Sequence, residues 1–456
     1  MNTGTTLAPG PQKNGTLDKW GSGRRLDIII GLLLAAMAAT FVLMSVANGP
    51  RLSLYDESTH IDYAYRASHF ELPRTGQPLS RYTLDQWSCR GRADAELPPC
   101  GADTPAAEYP AQGTQYNAFH PPVYYFLTGV PARALAAITG VDFTTAARSI
   151  GAVWLWAAMF GLYLTLRFWR LRVRYSLAAA FILPLIPGVL HASSTVTNDA
   201  PAALCGVAAL FILGRVVLHR NTGYILPAVL AGAAASTKIM NSLAVLIVAA
   251  VFVLLALVLW RRSGWKSSFP AIRVAGAMVL AIVVVYGGWG AVQSARTPPG
   301  YSSPIAGLSS RDIAGLPFDE WSQAAMSGTS LVNDFYLDPA VSSRYIGAWG
   351  SVLNLLLAVA PFTALVLYRR GTPRWLVGAT TLLGMFSFPM IVQLEVLKSN
   401  YSYFPIVTPR YGMTLIPLAV ASLAILAERK RLRRSAVGFL AIGFIVMLTS
   451  TAGVFA

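Results

Sequence analysis

Long apolar runs separated by short basic loops dominate the hydrophobic pattern of this chain. Eleven of them approach or exceed the roughly 20 residues that an α-helix needs to cross a bilayer. They are continuously apolar and do not alternate as membrane β-strands do, so they predict an all-α integral membrane protein. The runs cover residues 26–47, 145–166, 175–192, 199–218, 222–239, 241–260, 274–295, 346–368, 375–394, 410–427 and 435–455.

A twelfth apolar stretch, from His120 to Ile138, is interrupted by Pro121, Pro122 and Arg133. If it crossed the membrane, every later loop would change sides and most loop Lys and Arg would face outward. This would violate the positive-inside rule. We therefore expect a helix in the outer leaflet, a cytoplasmic N-terminus and an outer C-terminus.

The same pattern predicts the domain organisation. Residues 1–25 are expected to form a disordered cytoplasmic tail, and residues 26–456 a single transmembrane domain. Two large loops, 48–143 and 296–345, fall on the outer side. The first of these loops is expected to contain juxtamembrane helices.

Composition supports the membrane class and changes how the charge is interpreted. The chain is 55% hydrophobic and 12% charged, with a net charge of +16. Soluble domains carry about 25% charged residues. The basic residues cluster in short loops between apolar runs, which is a topology signal, so we do not expect nucleic acid as a partner.

Cysteines occur in two settings. Cys89 and Cys100 lie in the polar loop 48–143, where an oxidising compartment would favour a disulfide; two free thiols are the alternative. Cys205 lies within an apolar run and is interpreted as a small packing residue.

An acidic pair, Asp56-Glu57, follows the first apolar run. Helical spacing through residues 56–66 would place Asp56, His60 and Tyr63 on one face. One hypothesis is that Asp56 or Glu57 acts as a general base toward an acceptor hydroxyl. The alternative is a solvated juxtamembrane helix.

Two further polar segments are candidates for the same outer side. The segment His120-Pro-Pro-Val-Tyr124 is either an interfacial anchor or a substrate contact. Either Asn198 or Asp199 caps the following helix, or Asp199 supplies a second carboxylate to a cavity shared with Asp56. These residues, with His60 and Tyr411, form the predicted substrate cavity.

Four cations, Lys238, Arg410, Arg148 and Arg344, fall on the outer side against the positive-inside bias. A cation at the outer end of a helix needs a partner. The partner could be a protein carboxylate or a lipid phosphate, whereas snorkelling to the headgroups is the bland alternative. The sequence contains no Gly-rich phosphate loop, HExxH or CxxC motif that would indicate a nucleotide or zinc site.

The ordered motifs resemble the GT-C superfamily of membrane glycosyltransferases from about residue 26 to 427. The motifs are the acidic pair, the His-Pro-Pro-x-Tyr-Tyr segment, Thr-Asn-Asp before Ala200, Thr-Lys at 237–238 and Arg-Tyr at 410–411. The chain is most similar to bacterial members of uncharacterised substrate. It is more distantly similar to protein O-mannosyltransferases and to the aminoarabinose transferase of lipid A.

The resemblance implies a GT-C-like bundle of about eleven transmembrane helices, and the basic, alanine-rich composition fits the bacterial inner membrane. The resemblance also implies an enzyme of the EC 2.4 class that moves a sugar from a polyprenyl-phosphate donor to an envelope glycan, lipid or protein, on the extracytoplasmic face. Asp56 would be the base and Glu57 would orient the acceptor. Arg410 and Lys238 would bind the lipid phosphate, with Arg344 and Arg148 as further candidates.

The resemblance leaves the metal requirement open. Where a divalent metal is used, Asp56 and Asp199 would be its ligands. Two other functions also stay open at this point. One is a transporter or flippase of a lipid-linked or envelope substrate, and the other is a non-catalytic scaffold within a cell-envelope assembly. Membrane lipids are expected partners in each case.

Overall fold

Helices provide nearly all the regular structure of the described residues. The computed structural model describes residues 20–92, 95–301, 311–312, 318–331, 344–400, 402–403 and 407–452. Most of the predicted tail, residues 1–19, lies outside the described residues. The first helix begins at Trp20, six residues before the first predicted apolar run.

Sixteen α-helices form in this part of the chain. Two short strands, β1 (Arg311–Asp312) and β2 (Ser402–Tyr403), pair antiparallel. The helices are α1 Trp20–Asn48, α2 Glu57–Ser68, α3 Arg81–Arg90, α4 Val123–Thr139, α5 Phe143–Phe168, α6 Val173–Ile182, α7 Pro187–Ser194, α8 Ala202–Val217, α9 Ile225–Thr237, α10 Leu243–Ser263, α11 Trp265–Arg296, α12 Phe318–Ser327, α13 Arg344–Leu367, α14 Pro373–Asn400, α15 Ile416–Lys430 and α16 Arg433–Thr451.

Each of the eleven predicted apolar runs coincides with a helix or a broken pair of helices. Among the described residues, eight helices are long and apolar enough to cross a membrane. The pair α6 and α7, bent by 66°, would make a ninth span. Helices α8 and α9 are apolar but shorter. The all-α membrane class is confirmed, and the count of eleven spans stays a prediction.

Burial differs strongly between the apolar helices. In the apolar 18-residue stretch of the span 409–430, which contains α15, 78% of the residues are buried within the protein. In the span 434–451 of α16 the share is 22%. A helix that is apolar all round can be buried against other helices or exposed to lipid. Helix α15 is therefore central, and α16 lies at the periphery.

Helix α4 has both ends at the same end of the bundle. Near its start, the Tyr124 hydroxyl accepts a hydrogen bond from the backbone N–H of Thr197 at 3.0 Å. Toward its end, Leu135 and Thr139 line a groove together with Pro50, which follows α1. Because α1 and the segment before α8 reach the same end of the bundle, α4 runs along that end. This agrees with the prediction that residues 120–138 do not cross.

Close packing fixes α2 against α4. A Cβ atom at Gly129 of α4 would overlap the carbonyl oxygen of Ala64 in α2, so only glycine permits this approach. Helix α2 also buries Asp62, which accepts hydrogen bonds from the Arg66 side chain at 2.9 Å and the Ser80 backbone at 2.7 Å. These contacts hold α2 firmly although its sequence is polar.

The cysteine predictions are confirmed. Cys89 at the end of α3 forms a disulfide with Cys100, and Cys205 is a buried free thiol in α8. The disulfide joins α3 to the irregular segment that follows it.

Candidate active site

Charged side chains from four distant segments meet at the end of the bundle that α4 covers. Asp56 precedes α2, Asp199 precedes α8, Lys238 follows α9, and Arg410 opens the short 3-10 helix before α15. All four positions are junctions between helices, where the backbone turns and a side chain can leave the apolar layer. The sequence analysis expected all four on the outer side from the positive-inside topology, and the resemblance implied a shared site.

Asp56 is the most accessible acid of this group. Its side chain is 32% exposed, and one carboxylate oxygen lies 3.7 Å from a guanidinium nitrogen of Arg410. The Tyr116 hydroxyl donates to its other oxygen at 2.9 Å. The Asp56 backbone is in the left-handed region, with φ of 59°, which is uncommon for a non-glycine residue. A carboxylate in this setting is oriented yet reachable.

Glu57 is, by contrast, fully engaged. Its carboxylate binds Arg148 through two hydrogen bonds of 2.8 and 2.7 Å and accepts from the backbone N–H groups of Ser53 and Val196. Arg148 also donates to backbone carbonyls in the segment 49–51. Burial alone would raise the pKa of Glu57, but Arg148 and the two N–H groups outweigh it and lower that pKa.

The Glu57–Arg148 pair joins the segment after α1 to the segment before α8. Both side chains are almost completely buried, with Glu57 0% and Arg148 2% exposed. The first of these segments leads to Asp56 and the second to Asp199. The pair therefore fixes the spacing of the two candidate acids.

Asp199 forms a second buried ion pair. Its carboxylate lies 2.6 Å from the ammonium nitrogen of Lys238, and both side chains are buried. Burial would raise the pKa of Asp199, but the charges of Lys238 and Arg410 lower it. The residue does not supply a side-chain cap to α8, whose N-cap is Pro201. The capping alternative is therefore wrong for Asp199.

Two tyrosines surround Arg410. Its guanidinium carbon lies 5.3 Å from the ring centre of Tyr55 and 5.3 Å from that of Tyr411. The ammonium of Lys238 lies 5.7 Å from the same Tyr411 ring. Both cations thus gather around Tyr411. They form one positive region next to Asp56 and Asp199.

Uncharged polar groups complete the site. His60 Nδ1 lies 2.8 Å from the Tyr125 hydroxyl, to which the Asn198 side-chain amide donates at 3.3 Å. The His60 and His120 rings stack with centres 6.3 Å apart. Burial lowers the pKa of His60 to about 4 and that of His120 well below its usual value, so both are neutral near pH 7.

The structure separates the predicted site residues into three groups. Asp56, Asp199, Lys238 and Arg410 are close together, with His60, His120, Asn198 and Tyr411 around them. Glu57, Arg148 and Tyr124 are buried and bind other parts of the protein. The side chain of Arg344 lies outside the described part of the structure, so its role stays a prediction.

Three tyrosines at the site escaped the sequence analysis. Tyr116 donates to Asp56, and the Tyr55 ring lies beside the Arg410 guanidinium. Tyr125 links His60 to Asn198. Only Tyr125 had a signal, because it lies in the His-Pro-Pro-x-Tyr-Tyr segment. Tyr116 reaches the site through loop folding, which has no periodic signature.

A comparison with protein-family models matches residues 119–289 to the family described as dolichyl-phosphate-mannose-protein mannosyltransferase. The matched stretch contains His120, Asp199 and Lys238. No curated protein matches the chain. The match confirms the resemblance to the GT-C superfamily over residues 119–289, and the helical fold is that of a polytopic membrane protein. As to activity, the match supports a membrane glycosyltransferase in general.

Proposed function

We propose that this protein transfers a sugar from a polyprenyl-phosphate donor to an acceptor hydroxyl on the extracytoplasmic face of the membrane. The observation that carries the proposal is the meeting of accessible Asp56 with the cationic pair Arg410 and Lys238 at one end of the bundle. Acid and cations in one place match the two needs of this reaction, a base and a stabiliser of phosphate charge.

Asp56 is the proposed general base. In the reaction, the acceptor oxygen forms a bond to the anomeric carbon of the sugar while the bond from that carbon to the phosphate oxygen breaks. Asp56 takes the acceptor proton, and the electron pair of the broken bond leaves with the lipid phosphate. Glu57 does not suit this role, because both of its oxygens already accept hydrogen bonds inside the protein.

Arg410 and Lys238 are the proposed phosphate ligands. The phosphodiester of the donor gains one negative charge as it becomes a phosphomonoester, so cations beside it stabilise the transition state more than the ground state. Arg410 can also present two N–H groups to phosphate oxygens. Arg148 leaves the proposed set because its guanidinium is bound to Glu57 and to backbone carbonyls.

The residues present do not fit a divalent metal site. Asp56 and Asp199 each face a cationic side chain, at 3.7 and 2.6 Å respectively. Among the described residues, no group of three His, Cys, Asp or Glu side chains comes together in a way that could hold a metal ion. No step of the proposed reaction therefore involves a metal.

The outer location follows from the charge bias of the loops. The end of the bundle that carries Asp56 is opposite the Arg-rich loops, and the positive-inside rule places those loops in the cytoplasm. A polyprenyl phosphate has its headgroup at the membrane surface, so a site at a helix end can meet it. The bacterial inner membrane stays a prediction from composition.

A transporter or flippase is the second hypothesis, and one observation favours it. Helices α6 and α7 are bent by 66° at a break, and broken helices are common at transporter binding sites. The ion pairs described above nevertheless lie at helix ends, whereas transporter sites lie near the middle of the bilayer.

Reconstitution separates the two hypotheses. Purified protein in vesicles is given decaprenyl-phosphate mannose and related lipid-phosphate sugars with envelope lipids as acceptors. We expect the sugar to appear on the acceptor and free decaprenyl phosphate to accumulate. Movement of the lipid between leaflets without any glycosyl transfer would instead establish the transporter.

A further inference from the structure

Two buried polar atoms beside the ion pairs have no hydrogen-bond partner among the described residues. They are Nδ1 of His120 and the side-chain oxygen of Asn198. His120 is 7% exposed and Asn198 is 0% exposed. Nearly all buried polar atoms in proteins are paired, so an unpaired buried atom requires an explanation. A ligand that supplies the missing partners is one.

The two side chains flank His60. The His120 ring stacks with the His60 ring at 6.3 Å, and Asn198 donates to the same Tyr125 hydroxyl that contacts His60 Nδ1. A tyrosine hydroxyl has one proton and can donate only once. Tyr125 accepts from Asn198, and its own proton can go to His60 Nδ1; in that tautomer the imidazole proton of His60 is on Nε2.

This arrangement offers a mixture of donors and acceptors without net charge. His60 has one N–H to donate, Asn198 has an unpaired acceptor oxygen, and His120 has an unpaired ring nitrogen. A sugar hydroxyl both donates and accepts, so neighbouring hydroxyls match such a set. Neutral groups also do not compete with Lys238 and Arg410 for the phosphate.

The subsite is adjacent to the phosphate-binding cations. Asn198 directly precedes Asp199, whose carboxylate lies 2.6 Å from the Lys238 ammonium nitrogen. After burial, the charges of Lys238 and Arg410 also contribute to the lowered pKa values of His60 and His120. In a lipid-phosphate sugar, the sugar ring is attached directly to the phosphate. The side chains next to the phosphate-binding cations are therefore placed to contact the sugar ring.

The backbone around these side chains is held by other contacts. The Tyr63 hydroxyl donates to the carbonyl oxygen of His120 at 3.1 Å, and the Asn241 amide donates to that of Asn198 at 2.9 Å. The local fold thus does not depend on the unpaired side-chain atoms. This makes a purely structural role for those atoms a poor explanation.

We infer that His60, His120 and Asn198 form a neutral subsite that binds the hydroxyl groups of the transferred sugar. The inference rests on the proposed function and extends it, since it assigns recognition of the sugar to different residues from those that bind phosphate. These three residues then determine which sugar is accepted.

The test compares sugar-loaded with bare lipid phosphate. Dissociation constants are measured for decaprenyl phosphate and for a panel of decaprenyl-phosphate sugars carrying mannose, glucose, galactose or arabinose. We expect the wild type to prefer at least one loaded lipid. His120→Ala and Asn198→Ala should each reduce that preference about threefold to tenfold, the range for one neutral hydrogen bond, and leave bare-lipid affinity unchanged.

Control variants distinguish a specific loss of sugar binding from misfolding. His69→Ala changes an exposed histidine of the same outer region and should change neither affinity. If His120→Ala does not fold, His120→Asn serves in its place and is expected to lose less of the preference.

The outcomes separate this inference from the proposed function. The assignment of the sugar subsite is wrong if folded variants keep the full preference for the sugar-loaded lipid. It is also wrong if they lose affinity for bare and sugar-loaded lipid equally. The same holds if the wild type binds bare lipid and shows no preference for any sugar. If the wild type binds no lipid phosphate at all, the proposed function fails.

Discussion

At the scale of single residues, the carboxylates differ mainly in how accessible they are. Asp56 is 32% exposed, whereas Glu57 and Asp199 are buried in ion pairs of 2.7 and 2.6 Å. A buried and fully bonded carboxylate stabilises structure but cannot reach a substrate proton. Accessibility, more than charge, therefore distinguishes Asp56, the proposed base, from the two buried carboxylates.

The Glu57→Gln variant should be clearly less stable than the wild type. The change leaves the buried Arg148 without its counter-charge, and breaking a buried ion pair costs about 3–5 kcal/mol. Glu71→Gln is the matched control, because the Glu71 side chain is 67% exposed. Thermal unfolding in detergent measures both. Equal unfolding temperatures for Glu57→Gln and the wild type would contradict the structural role.

His60 should make the protein sensitive to mild acid. Its folded pKa is about 4, lowered from an ordinary value of 6.5, so the unfolded state binds the proton first as pH falls. This contribution to stability is complete above about pH 6.5 and is lost toward pH 4, by up to about 1.4 kcal/mol per pH unit. The lowered pKa values of Glu57 and Asp199 act at lower pH.

Thermal unfolding between pH 7 and pH 5 tests this slope. We expect His60→Asn, whose side-chain oxygen can still accept from Tyr125, to unfold with a shallower pH dependence than the wild type. The exposed residue His69 provides the control variant, His69→Asn. A slope for His60→Asn as steep as that of the wild type would contradict the assignment.

The sequence predicted the kind of partner that each outer cation needs, but not which residue it is. Lys238 and Arg148 had to meet a carboxylate or a phosphate, because an outer-side cation near the apolar layer needs one. Their actual partners lie 39 and 91 positions away in the chain. Contacts over such distances depend on the tertiary fold, which leaves no local pattern.

At the scale of helices, the length of the apolar runs and the positions of prolines carried most of the information. Every predicted apolar run corresponds to helical structure. Residues 123–139 form α4, which is not among the described helices long and apolar enough to cross a membrane, and its place in the outer leaflet stays a prediction. The break between α6 and α7 was missed. Pro184 and Pro187 lie at this break, but a run of apolar residues continues through it and resembles a single span.

The contact between α2 and α4 should tolerate no side chain at Gly129. In Gly129→Ala, the new Cβ atom would overlap the Ala64 carbonyl oxygen. It would push α2, which carries His60, away from α4. Overpacking of this kind costs about 1–3 kcal/mol. We expect a lower unfolding temperature and weaker transfer activity.

Gly438→Ala is the control with the opposite sign. A Cβ atom at Gly438 of α16 meets open space, and alanine favours a helix over glycine by about 1 kcal/mol. This variant should be as stable as the wild type or slightly more so. If Gly129→Ala behaved like Gly438→Ala, the close approach of α2 and α4 would be refuted.

At the scale of the whole molecule, the site is complete only when distant parts of the chain combine. The family match covers residues 119–289, which include Asp199 and Lys238 but neither Asp56 nor Arg410. Asp56 follows the first long helix, and Arg410 begins one of the last. The bundle brings them within 3.7 Å because both segments end on the same side.

The most direct test of this account is the single-turnover rate of Asp56→Asn with lipid-phosphate sugar already bound. We predict that the variant binds donor as tightly as the wild type, while the rate of transfer falls about 100-fold or more, as expected for loss of a general base. The control Asp85→Asn, an outer-loop acid with a 42% exposed side chain, should keep the wild-type rate. Transfer by Asp56→Asn at the wild-type rate would contradict the proposed mechanism.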